Sequence, residues 1–181
     1  PFLISYPFIK ENKGKTVNAP LTTPDILPSL LGLTNLKIPK DIEGENLSEL
    51  IKNPDPNADR VALIMGVAPF GANYKDPAYR TIRTKQYTYG RTTKGANMFF
   101  DNINDAYQMN NLLNNPKFST IQKELENKLN VALEKIGDEF KDKHYYLKKW
   151  GYTFDEKRRA VNWWSWKEGK GVVQSPKPLN Y

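Results

Sequence analysis

The stretch from Tyr79 to Leu112, YRTIRTKQYTYGRTTKGANMFFDNINDAYQMNNLL, decides the fold of this chain. It predicts two strands joined by a two-residue turn, a third strand, and then an acidic, asparagine-rich segment that leads into a helix. Just before it, VALIMGV at residues 61–67 predicts a further, continuously apolar strand. Four strands this close together leave no room for crossover helices, so we expect an antiparallel sheet.

Residues Pro116 to Phe140 carry the clearest helical pattern in the chain. Apolar residues recur there at steps of three and four: Phe118, Ile121, Leu125, Leu129, Ala132, Leu133 and Ile136. Asn115 with Pro116 predicts the start of this helix, and Gly137 predicts its end. We expect the helix to cover one face of the sheet, which makes the fold class α+β.

Three elements are predicted ahead of the sheet. FLISYPFI, residues 2–9, has the composition of a buried strand. The segment from Thr22 to Gly32 predicts a helix that Thr23 caps and that Gly32 ends, with Pro28 bending it. A short amphipathic helix around Leu47, Leu50 and Ile51 and a Pro-Asp-Pro-Asn linker follow.

The remainder of the chain, from Lys141, predicts an irregular aromatic extension that lies against another surface. It contains all four tryptophans and many basic residues: Trp150, Trp163, Trp164, Trp166, Lys148, Lys149, Arg158, Arg159 and Lys167. Indoles can stack on sugar rings and basic side chains attract anions, although tryptophans that fix the tail to the main domain are the favoured interpretation. The predicted units are residues 1–58, 59–140 and 141–181.

Composition excludes several classes of function. The 181 residues contain no cysteine, which excludes thiol catalysis, cysteine-ligated zinc and disulfides. The net charge of +7 fits a solvated surface as well as it fits an anionic substrate, a nucleic acid or an acidic membrane surface. No module typical of nucleic-acid binding is present, and no apolar run approaches the length of a membrane span. The start lacks the basic region of a signal peptide, so we expect the chain to begin inside a longer protein.

Several of these segments, in this order, resemble the C-terminal portion of the sulfatase family, the formylglycine-dependent arylsulfatase-like branch of the alkaline phosphatase superfamily. Ile82-Arg83-Thr84 and Tyr87-Thr88-Tyr89 resemble its "IRT…YKY" hairpin. Phe100-Asp101-Asn102 and the segment 105–112 resemble its "YDL…DPxExxNL", with Ala106 in place of the usual proline and Gln108 in place of glutamate. Two further segments, TPDILPSLLGL at residues 23–33 and Gly44 to Ser48, resemble sulfatase sequence segments. In the family, the first of these leads from the large domain toward the C-terminal part.

This resemblance implies a parent protein that hydrolyses sulfate esters on sulfated glycans, either in the periplasm or outside the cell. The family uses a formylglycine made in a (C/S)-x-(P/A)-x-R motif, and calcium held by oxygen ligands. Neither that motif nor the metal pair occurs here, and both would lie upstream in a catalytic domain that is the main partner of this chain. We therefore expect no catalytic residue, no metal ligand and no cofactor in this chain, and no activity of the chain alone.

Two aspartates look like metal ligands but have structural interpretations. Asp25 lies in the first turn of a capped helix, where the positive end of the helix dipole stabilises a carboxylate. Asp101 with Asn102 aligns with the family's "YDL", which predicts a sheet edge.

By the same resemblance, this chain would contribute contacts to the substrate beyond its sulfate group. The candidate substrate-binding residues are Asn73, Tyr74, Lys75, Arg91, His144 and Trp163. The first three belong to a predicted polar loop after the first sheet strand, and His144 is the only histidine. Arg80 and Arg83 should point to opposite faces of their strand, one toward a cleft and the other to a solvated or salt-bridged surface.

Two alternatives stay open at the level of sequence. The chain could be a binding module for acidic polysaccharide that is catalytically silent by nature. It could also belong to a related phosphate or phosphonate ester hydrolase, because the residues that decide the chemistry lie elsewhere.

Overall fold

The computed structural model describes residues 2–8, 14–67 and 76–150, together with two short strands in the C-terminal part of the chain. The elements are, in order, α1 (Thr23–Leu33), α2 (Ser48–Lys52), β1 (Ala62–Gly66), β2 (Tyr79–Arg83), β3 (Tyr87–Thr92), β4 (Gly95–Asp101), α3 (Ser119–Lys135), α4 (Lys143–Lys149), β5 (Trp164–Lys167) and β6 (Gly171–Gln174). This architecture confirms the α+β class. The proposed unit boundaries stay a prediction.

The main sheet has four antiparallel strands in the order β1-β2-β3-β4, as the sequence predicts. Ile82 of β2 lies between Leu63 of β1 and Tyr89 of β3, and Phe99 of β4 is the next partner across. The β2–β3 hairpin closes with a 2.8 Å hydrogen bond from the backbone nitrogen of Thr84 to the carbonyl of Tyr87. The predicted two-residue turn is therefore confirmed.

Helix α3 covers one face of this sheet and forms the hydrophobic core with it. Leu125, Leu129 and Leu133 pack against Ile82, Tyr89 and Phe99, and all six are buried. These leucines are spaced four residues apart, so they lie on one side of the helix. The predicted apolar face is thus confirmed over most of its length.

The two ends of this helical segment differ from the prediction. A short 3₁₀ turn, Pro116–Phe118, precedes α3, and Asn115 caps it by accepting a 3.1 Å hydrogen bond from the backbone nitrogen of Lys117. Helix α3 ends at Lys135, and Gly137 then adopts a φ of +65°. The segment up to Phe140 is therefore not helical, and Ile136 is 51% exposed, outside the core in which its spacing placed it.

Residues 2–8, the described part of the predicted N-terminal strand, form no strand. They contain a turn at Pro7 and Phe8, and the hydroxyl of Tyr6 donates to the carbonyl of Leu33. A strand needs a neighbouring backbone to pair with. In the described part of the chain, no strand pairs with these residues.

Helix α1 begins at Thr23, the residue predicted to be its cap, and so one residue earlier than predicted. Thr22, not Thr23, is the cap, and its backbone nitrogen donates a 2.7 Å hydrogen bond to the carboxylate of Asp25. Pro24 therefore takes the second helical position. The helix continues through Pro28 and ends at Leu33, one residue beyond the predicted end at Gly32.

The predicted irregular tail contains regular structure, which corrects that interpretation. Helix α4 begins where the side chain of Asp142 accepts a 2.7 Å hydrogen bond from the backbone nitrogen of His144. Strands β5 and β6 form an antiparallel hairpin in which Trp164 is opposite Gln174. Tryptophan and valine favour strands, a preference that the glycine- and proline-rich surroundings obscured. Among the described residues, no helix is long and apolar enough to cross a membrane.

The core predicts a large difference between two substitutions on α3. Leu129→Asp should unfold the domain, because a carboxylate replaces a side chain with no exposed surface, at a cost of about 4 kcal/mol or more. Val131→Asp on the exposed side of the same helix should change stability by less than about 1 kcal/mol. Thermal unfolding followed by circular dichroism measures both. A cooperative thermal unfolding transition of the Leu129→Asp variant at the wild-type temperature would contradict this packing.

Candidate functional site

The candidate site lies at the end of the sheet where β1 and β3 end and β2 begins. Arg80 of β2 and Arg91 of β3 are directly opposite each other there. Both side chains lie on the side of the sheet that α3 covers, since each makes an ion pair with an acidic residue of α3 or of the segment after it. Two guanidinium groups on directly opposite residues repel each other unless carboxylates compensate their charges, and two carboxylates do so here.

Arg80 is the buried member of the pair. Its side chain has no exposed surface, and it forms a two-pronged ion pair in which Nε and Nη2 donate to the carboxylate of Asp138. Its Nη1 donates a 2.9 Å hydrogen bond to the carbonyl of Tyr79. The guanidinium also lies over the ring of Phe140, 4.8 Å from its centre. Arg80 is thus fully engaged inside the fold.

Asp138 joins three parts of the structure at this point. Its carboxylate binds Arg80, accepts from the hydroxyl of Tyr146 on α4, and accepts a 2.8 Å hydrogen bond from the backbone nitrogen of Phe140. Burial raises the pKa of Asp138, but these hydrogen bonds and the charge of Arg80 outweigh burial and bring the pKa down to about 2. Burial and the hydrogen bond to Asp138 raise the pKa of Tyr146. Asp138 is therefore charged and Tyr146 neutral near pH 7.

Arg91 is the more exposed member of the pair. Its Nη1 donates to Glu126 of α3, and the side chains of the two residues are 23% and 32% exposed. The other oxygen of Glu126 accepts from the hydroxyl of Tyr89. Burial and this carboxylate raise the pKa of Tyr89, so the phenol stays protonated and continues to donate. The guanidinium of Arg91 lies 5.2 Å from the ring centre of Phe140, which places Phe140 between both arginines.

Helix α4 connects this cluster to Asp76, the first described residue before β2. The side chain of Lys143 donates a 3.4 Å hydrogen bond to the carbonyl of Asp76. His144 follows, and its imidazole Nδ1 lies 3.3 Å from the carboxylate of Asp142. Because Tyr146 binds Asp138, α4 is held at the same end of the sheet as Arg91.

The structure places two of the six predicted substrate-binding residues. Arg91 and His144 lie on elements that meet at the Asp138 cluster. The other four, Asn73, Tyr74, Lys75 and Trp163, lie outside the described residues. The role of all six in substrate binding stays a prediction.

The two hairpin arginines lie on opposite sides of their strand, as predicted. Arg83 is exposed, and Arg80 is buried. The expectation of a solvated or surface salt-bridged residue therefore fits Arg83, whereas Arg80 forms a buried ion pair.

Sequence reasoning missed Glu126, Asp138 and Tyr146. Glu126 follows Leu125 directly and so borders the apolar face of α3, which was a usable indication of contact with the sheet. Asp138 and Tyr146 carried no such indication, because their partner Arg80 is 58 residues away from Asp138.

The two metal-like aspartates are engaged within the fold. The carboxylate of Asp25 accepts from Thr22, from the backbone nitrogen of Glu45 at 2.8 Å and from Arg60 at 2.6 Å. Burial opposes ionisation of Asp25, but these hydrogen bonds outweigh it and lower its pKa. In the described part of the chain, no three histidine, aspartate or glutamate side chains are grouped as metal ligands would be.

Asp101, the second of these aspartates, organises the turn after β4. It accepts 3.0 Å hydrogen bonds from the backbone nitrogens of Ile103 and Asn104 and from the side chain of Gln86. Burial raises its pKa, but these bonds lower it by more. Asp101 ends β4, an outer strand of the sheet, so its prediction as a sheet edge is confirmed.

Comparison with known proteins matches residues 1–135 to the family model "N-sulphoglucosamine sulphohydrolase, C-terminal". The "Ulvan-active sulfatase" of Formosa agariphila is 63% identical over 99% of this chain, and the chain spans 35% of that relative's length.

Two solved structures share the fold. The structure of a 2-O GAG sulfatase matches with a TM-score of 0.60 and 22% identity. The match covers 74% of this chain and 29% of the sulfatase chain. A phosphonate monoester hydrolase from Silicibacter pomeroyi matches with a TM-score of 0.51 and 14% identity, over 90% of this chain and 30% of its own.

The low pKa of Asp138 predicts how stability depends on acid. The folded pKa lies below the ordinary value of 3.8, so the charged carboxylate stabilises the fold above pH 3.8, and this contribution is lost as the pH falls toward 2. Asp138→Asn should lower stability at pH 7 by about 3 kcal/mol and should flatten the dependence of Tm on pH between 4 and 2. The exposed Glu134→Gln serves as the control. Equal acid sensitivity of wild type and Asp138→Asn would contradict this assignment.

Proposed function

The chain belongs to the family of N-sulphoglucosamine sulphohydrolase C-terminal domains, and we propose that it is the C-terminal part of a sulfatase that hydrolyses sulfate esters on a glycan. The observation that carries this proposal is the 63% identity to an ulvan-active sulfatase along nearly the whole chain. A sulfated glycan of the ulvan type is the proposed substrate.

In this proposal the chemistry belongs to the upstream part of the protein. A formylglycine nucleophile and a calcium ion would be supplied there, since this chain has no cysteine and no serine in the required motif. The two aspartates that could have suggested a metal are already satisfied by Arg60, by Thr22 and by backbone nitrogens. The chain alone is accordingly expected to be inactive.

The proposed contribution of this chain is support for the fold and contact with the sugar. The sheet is rigidly backed by α3, and its Arg80–Asp138 end holds Arg91 and α4 in place. Arg91 offers a charge for a sulfate or carboxylate. His144, Asn73, Tyr74, Lys75 and Trp163 add the aromatic, amide and cationic groups that bind sugars.

The proposed location and partners follow from the substrate. A polymeric glycan is met outside the cytoplasmic membrane, so the parent protein would act in the periplasm or be secreted. Its partners would be the upstream catalytic domain and the sulfated carbohydrate, without a nucleic acid or a membrane.

The alternative of a phosphate or phosphonate ester hydrolase draws on the fold alone. The phosphonate monoester hydrolase shares the fold at 14% identity, a level that carries no information on the reacting group. The sulfatase relative is far more similar in sequence, which favours sulfate esters. A silent polysaccharide-binding module is the other alternative.

The proposed function is tested with the full-length parent protein, produced in a host that makes formylglycine. We expect its upstream sequence to contain (C/S)-x-(P/A)-x-R, and we expect inorganic sulfate to be released from ulvan oligosaccharides and to depend on calcium. Release of phosphonate from a monoester without any sulfate release would favour the phosphonate alternative. Glycan binding without hydrolysis of either ester would favour the silent module.

The proposed sugar contacts predict a change in KM with little change in kcat. Lys75→Ala in the full-length protein should raise the KM for ulvan oligosaccharides about two- to fivefold, because one charge contact outside the reacting centre is lost. Lys85→Ala is the matched control, since Lys85 lies in the β2–β3 turn, at the end of the sheet away from Arg91, and donates to the carbonyl of Pro56. Steady-state kinetics measures both variants, and equal KM values for the two would argue against a contact between Lys75 and the substrate.

A further inference from the structure

The two arginines at the candidate site differ in how many of their donors the fold uses. Arg80 has all three kinds of guanidinium nitrogen engaged, by Asp138 and Tyr79, and no exposed surface. Arg91 makes one ion pair, through Nη1, and remains 23% exposed. Its Nε is buried and has no hydrogen-bond partner among the residues that the structure describes, so the exposed part of the guanidinium is what a ligand could reach. Arg91 therefore keeps donor capacity that Arg80 lacks.

The carboxylate that faces Arg91 is also reachable from solvent. Glu126 is 32% exposed and lies on α3 beside the buried Leu125. Its two oxygens are divided between Arg91 and the hydroxyl of Tyr89. A partly exposed ion pair of this kind contributes little to stability, so its partners can be exchanged at low cost.

We infer that Glu126 is an internal competitor for an anion-binding subsite at Arg91. The ligand is a sulfate or carboxylate group of a glycan, and it binds Arg91 when the Glu126 carboxylate withdraws from Nη1. An approaching anion meets like charge as long as Glu126 remains in place, so Glu126 lowers the affinity of the subsite. This inference rests on the proposed function only for its choice of ligand.

The surroundings hold the guanidinium ready for this exchange. Phe140 supports its plane at 5.2 Å, and Phe140 is itself fixed by the bond from its backbone nitrogen to Asp138. Tyr89 keeps donating to Glu126 whether or not Arg91 is released, because its phenol stays protonated. Loss of the Arg91 contact therefore leaves Glu126 with a partner.

The test measures the binding of ulvan oligosaccharides to full-length variants by calorimetry, at two salt concentrations. Glu126→Gln keeps an acceptor for Tyr89 but removes the charge, and it should tighten binding about two- to fivefold. Glu124→Gln makes the same change of net charge at an exposed position of α3 and should have a smaller effect. Arg91→Ala should weaken binding, and Glu126→Gln added to it should give no gain.

Two further arms separate the possible outcomes. If the gain of Glu126→Gln disappears with desulfated oligosaccharides, the ligand group is a sulfate; if it persists, the group is a carboxylate. Equal affinities of wild type, Glu126→Gln and Glu124→Gln, a gain that survives in the Arg91→Ala background, or no binding by any variant would each overturn the inference. Sulfate release by the wild type is measured in parallel, so that failure of the proposed function is recognised separately from failure of the subsite.

Discussion

The ion pair between Arg80 and Asp138 is the interaction on which this end of the molecule depends. A guanidinium without exposed surface must be paired, because an unpaired charge inside a protein is strongly destabilising. Asp138 meets that requirement, and its remaining capacity is used by Phe140 and Tyr146. One carboxylate thereby fastens a strand of the sheet, the connection after α3 and the helix α4 to each other. The leucine core determines that α3 covers the sheet. The ion pair determines where the segment after α3 and helix α4 pack.

This constraint separates a structural arginine from one that is available to a ligand. Phe140 lies between the two guanidinium groups, so fixing it through Asp138 also orients Arg91. Arg91 in turn is held by Glu126, in a pair that solvent reaches. In the proposed function, Arg91 would bind the non-reacting part of an anionic substrate. Energy from such remote contacts contributes to the rate only when it also positions the reacting group of the substrate.

The elements with local patterns could be predicted from the sequence. The four-residue spacing of Leu125, Leu129 and Leu133 gave the core face, and the Lys85-Gln86 turn gave the hairpin. Features that depend on distant partners could not be predicted. The strand expected at residues 2–9 had the right composition, but a strand also needs a neighbour. Ile136 kept the helical spacing, although the helix ends just before it. The burial of Arg80 depends on Asp138, far along the chain, and no pattern in either segment reports that contact.

The proposed function requires the Arg91 and α4 end of the sheet to contact the glycan. Hydrogen–deuterium exchange on the full-length protein, with and without ulvan oligosaccharides, tests this contact most directly. We predict slower exchange on ligand addition in residues 89–92 and 143–149, while exchange in residues 101–110 at the opposite end of the sheet stays unchanged. Slower exchange at residues 101–110 with none at residues 89–92 and 143–149 would contradict this prediction.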